Sequence, residues 1–340
     1  MTIETFKGGR MTFSNMVSRI DYFDVTRTIG PVTHGAVEPY VFKEPPHVIT
    51  NGTLPLNGEP TTDMHFQIIE GHDFEWWKFH ADAIRGDVHW VTNQLVLTNM
   101  QGLLFDGDFA GSAHFNFDYG KNAAMTFDFA STNADFGLIM TNLFDSTNRM
   151  TGIFTGHLNV TNAFTGDMNT WSGYGDVLLE DGFIWDIPLF GGFSKVAEAL
   201  LPDLGTPRVN RGAATFVLTN GVIHTSDMAL HAKNIRLKYD GTVDFDGNLD
   251  ARMQGDLFRE RGAVKQTIGY LMTPFTKLME FRISGTLAKP EKEPLYFPKI
   301  FRETLNPFSW FGRLFDTDKE KKEEDDSRGG SEAQREEQLR

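Results

Sequence analysis

The chain has 340 residues, a formal net charge of −14 at pH 7, no cysteine, 33 glycines and 30 phenylalanines. The charge argues against a surface for nucleic-acid phosphates, which needs clustered Lys and Arg, and against holding anionic headgroups by charge alone. Without cysteine there is no disulfide framework, thiol nucleophile or Cys-ligated metal.

The length fits one elongated domain or two compact ones. Abundant Phe and Gly with few helix-forming runs predict aromatic-rich strands punctuated by turns. No apolar run approaches the ~18 residues of a membrane-spanning helix. Residues 1–20 hold no continuous apolar stretch and no small-residue cleavage site, so they do not read as a secretory signal.

In chain order, residues 1–45 carry little pattern and read as an irregular N-terminal segment, with Pro31, Pro39, Pro45 and Pro46 marking extended or turning chain. Residues 46–160 read as short β units separated by turns. Val48-Ile49-Thr50 meets Asn51-Gly52, and Trp77, Phe79, Ala81 and Ala83 alternate with Trp76, Lys78, His80 and Asp82. The clearest strand system is Phe105 to Tyr119. Its odd positions include Phe105, Phe109, Phe115 and Phe117, against Asp106, Asp108, Ser112 and His114. A period of two means that one face is apolar and the other meets water. Met125, Phe127 and Phe129 repeat the theme. So do Ile235, Leu237, Tyr239, Val243, Phe245, Leu249, Ala251 and Met253, opposed by Arg236, Lys238, Asp240, Asp244, Asp250 and Arg252. Such two-sided contrast belongs to antiparallel meanders and excludes a doubly buried parallel sheet.

Between these stretches, Asp181-Gly182 and Asn220-Gly221 read as hairpin turns. A brief helix is predicted after Ser194, with Phe193, Val196, Ala197, Leu200 and Leu201 on one face. A second is predicted from about Ala263 to Glu280, striped by Val264, Ile268, Leu271, Met272, Phe275, Leu278 and Met279 and kinked at Pro274. Arg282 to Leu287 reads as the last strand, ended by Pro290 and Pro294. Phrases such as LVLTNMQGLLFDGDFAG, HLNVTNAFTGD and FVLTNGVIHTSD form a degenerate repeat. Residues 301–315 are an aromatic amphipathic segment. Residues 316–340 are charged, lack apolar anchors and read as a disordered tail.

Two polar constellations invite a chemical reading. Glu70 to Asp82 offers His72, Asp73, Glu75, His80 and Asp82, with His65 and His89 nearby. A glycosidase needs two carboxylates flanking a scissile bond and a metal site needs three convergent ligands. The flanking alternation instead makes these solvated positions on an outward strand face. Asp244, Asp246, Asn248 and Asp250 begin like a calcium loop, but Gly255 stands where an EF-hand requires Glu, and Asp246-Gly247 or Gly247-Asn248 reads as a hairpin turn. No phosphate-binding glycine motif occurs. The residues therefore point to no catalytic set, metal or cofactor. The aromatic stripes fit either a β-sandwich core or a sheet curled into an open trough, since both bury the same face.

The segment DGFIWDIPLFG (Asp181–Gly191), the LPDLGTPR exit (Leu201–Arg208) and the strand pair ATFVLTNGVIHTSD (Ala214–Asp227) resemble the C-terminal region of the AsmA-like family of bacterial envelope proteins, related to the AsmA and TamB types. The likeness continues through LKYDGTVDFDGNLDARMQGDL and FRISGTLAKPEKEPLYFP. It is strongest over 161–300, begins near 150, and weakens back to about residue 46. These are fold motifs, not catalytic ones. The resemblance implies a mainly β fold: an elongated, curled antiparallel sheet forming an open β-groove of repeated units, with two short amphipathic helices closing its end.

The function it implies is non-enzymatic lipid handling in the envelope. Phospholipid acyl chains would sit in the groove for inter-membrane transport and outer-membrane biogenesis. The lining would be Phe105, Phe109, Phe115, Phe117, Phe127, Phe129, Ile235, Leu237, Tyr239, Val243, Phe245 and Leu249. Phe301, Phe308, Trp310, Phe311 and Phe315 would contact a membrane surface or outer-membrane assembly proteins. Family members usually begin with a membrane helix, so the resemblance implies a periplasmic C-terminal fragment or a late start, with an inner-membrane anchor upstream, in preference to a member that truly lacks the anchor. The competing readings are a β-sandwich scaffold or protein-binding module without lipid, and, further off, a glycosidase using the acids of Glu70–Asp82.

Overall fold

The computed structural model describes residues 2–4, 9–19, 21, 23–24, 27, 34, 38, 40–55, 61–76, 79–118, 122–144, 150–183, 208–232, 235–258, 275–287 and 289–296. Its strands are β1 (Thr2–Glu4), β2 (Arg10–Ser18), β3 (Tyr40–Phe42), β4 (His47–Pro55), β5 (Asp63–Trp76), β6 (Phe79–Val91), β7 (Gln94–Leu104), β8 (Gly107–Asn116) and β9 (Ala124–Asp135). They continue, after helix α1 (Phe136–Phe144), with β10 (Thr151–Phe164), β11 (Asp167–Phe183), β12 (Val209–Thr219), β13 (Val222–Ala232), β14 (Ile235–Asp244), β15 (Leu249–Phe258), β16 (Phe275–Gly285) and β17 (Pro290–Tyr296).

All seventeen strands belong to one sheet. From β4 to β17 each strand pairs antiparallel with the next in the chain. β2 lies along β4, β1 along β2, and β3 continues the line of β4 beside β5. The result is an open, mainly β sheet of sixteen rungs.

The alternation read from the sequence sets its two faces. Along β8, Gly107 and Phe115 are buried while Asp108, Ala110 and Ser112 are exposed. On β14 and β15, Ile235, Leu237, Tyr239, Leu249, Ala251 and Met253 are all less than a tenth exposed. The outward face carries alternating charge: Arg236 and Lys238 reach Asp256 at 2.7 and 3.6 Å, Arg252 reaches Glu280 at 3.6 Å, and Arg282 reaches Asp250 at 3.5 Å. Burial of Asp256 works to raise its carboxyl, but Gln254, Arg236 and Lys238 together hold it below the ordinary aspartate value.

The sheet is strongly curled. Three rungs of a flat sheet span about 14 Å at ~4.8 Å each. Yet the ring of Trp171 on β11 lies 6.0 Å, centroid to centroid, from Phe245, just past β14. Phe115 on β8 and Leu218 on β12, four rungs apart, share one buried cluster. Bulges supply the bend: the register shifts between Ile68 and Gly71, Leu97 and Met100, Ala213 and Val217, and Thr225 and Met228. Asn15, Asp73, Asn99 and Asn133 take left-handed φ inside strands, the conformation that these short polar side chains tolerate best.

Several elements differ from the sequence reading. Residues 10–18, within the segment without pattern, form β2; a register shift between Phe13 and Met16 breaks its period of two. Trp76 to Ala83 is not one run. β5 ends at Trp76 and β6 starts at its partner Phe79. The proposed helix after Ser194 and residues 263–274 of the second lie outside the described residues, but Phe275–Glu280 is strand. Pairing of Phe275 with Phe258 and of Met279 with Gly255 overrides the helical spacing, and Met279 is 3 % exposed. Pro290 and Pro294 do not end the sheet. They sit in β17, an edge strand, where a missing N–H costs no ladder bond. The helix that is described, α1, was not expected. Asp135 caps it, its Oδ1 accepting the Leu138 N–H at 2.9 Å, and Ile139 packs against Phe105 and Ala134.

On β17, Lys292 pairs with Ile283, which is fully buried, so its stem leans toward the inner face and burial pushes its amine down to about 8. The folded value lies below the unfolded 10.5, so the unfolded chain binds more protons between the two and stability rises with pH across that window. Lys292→Met is expected to flatten that rise, read from urea melts at neutral and mildly alkaline pH; a rise kept in the variant would show that another group causes it.

Candidate functional site

The inner face of the curled sheet gathers five of the twelve expected lining residues, Phe105, Phe109, Phe115, Phe127 and Phe129, into two clusters. Near the turns after β6, β8, β10 and β12, Phe115, Met125, Val160, Ala163 and Leu218 are buried, with Leu95, Leu97, Phe127, Leu158, Trp171 and Ile223 packed on them. Toward α1, Phe105, Ala81, Leu104 and Ala134 form the second cluster, with Phe74, Phe109, Phe129, Ile139 and Phe154 around it. Phe109 and Phe129 stack at 6.0 Å.

Phe105 reaches this face from a turn with φ 54° and not from a strand. Ile235, Leu237, Tyr239 and Leu249 line the β14–β15 stretch, where Tyr239 pairs with Met253 and Met253 with Phe281. Burial, helped by Asp250, pushes the Tyr239 hydroxyl up to about 12. Val243 is half-buried.

Two expected lining residues are placed differently. Phe245 falls in the turn after β14, 37 % exposed, and Phe117 lies beyond the end of β8, 43 % exposed. Both mark the rim of the face. Phe301, Phe308, Trp310, Phe311 and Phe315 lie outside the described residues. Among those described, no helix is long and apolar enough to cross a membrane.

Trp171 and Phe154 were not anticipated. On β11, Trp171 is followed on its own face by Gly173 and Gly175, so no apolar alternation announces it. Its Nε1 and the Oγ of Ser131 are buried and, among the described residues, have no hydrogen-bond partner.

The Glu70–Asp82 residues do come together, on the outer face. His80 Nδ1 lies 3.2 Å from Glu75, and its Nε2 lies 3.3 Å from Asp73 and 3.7 Å from Asp82. Lys43 reaches Glu75 at 2.8 Å, while Arg19 and His72 both reach Glu70 at 3.2 Å. His65 stacks on His89 at 4.3 Å, and His89 lies 2.8 Å from Asp63. Ligand atoms of Asp73, His80 and Asp82 lie within 4.8 Å of one another, a set able to hold a divalent cation.

As a glycosidase pair these acids are poorly tuned. Hydrogen bonding to His72 holds Glu70 below its usual range, and Lys43 does the same for Glu75, whereas a general acid needs a raised value. In the Asp244–Asp250 stretch, Asp244 closes the hairpin. Its carboxylate accepts both the backbone N–H and the side-chain amide of Asn248 at 2.8 Å, and Gly247 turns with φ 83°. No family model, curated protein or solved structure matches the chain.

The hydrogen bond to Glu70 raises the His72 imidazole above its ordinary 6.5. Its small stabilisation is present below that value and is lost as pH rises through the raised one. In Glu70→Gln the His72 midpoint, followed by NMR, is expected to fall back toward 6.5; an unmoved midpoint would remove Glu70 as the cause.

Proposed function

We propose that this chain is a lipid-handling protein of the bacterial envelope, holding phospholipid acyl chains along the inner face of its curled sheet and acting by binding, not catalysis. One observation carries the reading. Seventeen strands form a single open sheet with one continuous apolar face, and among the described residues no second sheet covers it. The resemblance of its motifs to the AsmA-like region supports an envelope compartment and a role in outer-membrane biogenesis with assembly partners at residues 301–315.

The energetics favour such a ligand. A 16-carbon acyl chain gains on the order of 13 kcal/mol on leaving water, at ~0.8 per methylene. Where side chains of this face are already buried in one cluster, as at Phe115, Val160 and Leu218, a tail must part them. That exchange replaces one apolar contact by another, so the gain from desolvating the tail survives. The same mutual burial favours a second reading, a lipid-free scaffold that acts through protein contacts: Met253 is fully buried and Phe281 is 1 % exposed without any ligand.

Denaturing extraction of protein purified from cells is expected to yield phospholipid or fatty acid above a matched control protein. Phe245→Glu, at the exposed rim, is expected to fold normally and lose most of that lipid, because a charged rim group must be desolvated as a tail slides past. Phe115→Glu, 8 % exposed, should cost several kcal/mol and serves as the buried reference. Lipid content at the control level, or unchanged in folded Phe245→Glu, would favour the scaffold.

A further inference from the structure

Within the inner face, the indole of Trp171 stands in an unusual position. Its ring meets Phe127 edge-on at 5.5 Å and Phe245 edge-on at 6.0 Å, and it packs against the cluster of Phe115, Val160 and Leu218. These contacts fix the ring and, with it, the direction of the N–H. That donor is buried and, among the described residues, has no acceptor. Leaving a buried donor unmet is costly, and natural folds rarely do so without a purpose or a missing partner. Ser131, the other unmet group, carries a hydroxyl that can rotate to suit its surroundings, whereas an indole N–H can only donate along one line.

Resting on the lipid reading above, we infer that Trp171 is the polar anchor of the trough: its Nε1–H donates to an acyl-ester carbonyl of a bound glycerolipid. The chemistry narrows the partner in three steps. An indole N–H donates and never accepts, so the partner must be an acceptor. The surroundings are aromatic and aliphatic, so a phosphate or other charged headgroup would lose its hydration there without adequate compensation. The neutral ester carbonyl is the acceptor that a glycerolipid carries where its apolar tails begin. Phe245 covers the site from a turn, 37 % exposed, and the equally peripheral Phe117 lies at the same end of the sheet, so the ester region sits at the rim with the headgroup outside.

The test compares a diacyl phosphatidylcholine with its chain-matched dialkyl ether, which has the same tails and headgroup but no carbonyl. Wild-type protein is expected to bind the diester about three- to ten-fold more tightly, the range of one neutral hydrogen bond, and Trp171→Phe to bind the two equally. A ring that merely packs would not move that ratio. In protein labelled with ¹⁵N at tryptophan, the Trp171 indole proton is expected to shift downfield with the diester and not with the ether, which decides the matter even where Trp171→Phe fails to fold. Equal wild-type affinities, a preference kept in the variant, or the same indole shift with both lipids would overturn the anchor while leaving acyl binding intact. Failure to bind either lipid would overturn both.

Discussion

The structure depends on one constraint: a single sheet must hide an apolar face with no second layer among the described residues to lay against it. Most β proteins solve this with a facing sheet or a closed barrel. Here the sheet bends toward itself, so that Phe115 and Leu218, four rungs apart, belong to one buried cluster. Bending needs extra residues on one side of the ladder, and bulges provide them at intervals along the strands. Small residues let the bent backbone through: a Cβ added at Gly86 would collide with the backbone and sulfur of Met100.

Charge follows the same geometry. The outer face, which water reaches, is laced with cross-strand ion pairs. Most of these pairs are exposed and contribute little individually. Arg236 with Asp256 is the exception, since the carboxylate is nearly fully buried and its three partners outweigh that burial, holding it below the ordinary aspartate value. The cluster around His80 is likewise a feature of the outer face, separated by the thickness of the sheet from the apolar surface.

How far the sequence could reveal this varies with the element. Where alternation runs unbroken, as in Ile235 to Asp244, the face of every residue was legible, because period two leaves no other arrangement. Asn220-Gly221 likewise announced its turn, confirmed by left-handed φ at both residues. The failures have physical causes. A bulge shifts the period by one and hid β2; cross-strand partners outvoted a helical stripe at Phe275–Glu280. In α1, Gly137 and Thr141 weakened a signal that Asp135 and the spacing of Phe136, Ile139 and Met140 did contain. Of the candidate site, periodicity marked which side is apolar but not how tightly the sheet curls, since curl arises from contacts between strands distant in the chain. Trp171 escaped notice because glycines, and not apolar residues, continue its face.

The unbroken meander also bears on how the molecule is built. Each strand from β5 onward finds its partner in the strand made just before it, so almost no pairing waits for distant chain. During synthesis from the N-terminus, every new hairpin can zip onto the edge left by the last. At each stage the youngest strand is the one open to further pairing, a template that would recruit any extended segment nearby. Among the described residues β17 is the last rung, and its two prolines withhold donors from the next strand. Of the described strands it is thus the poorest template for a growing edge, a property written into seven residues.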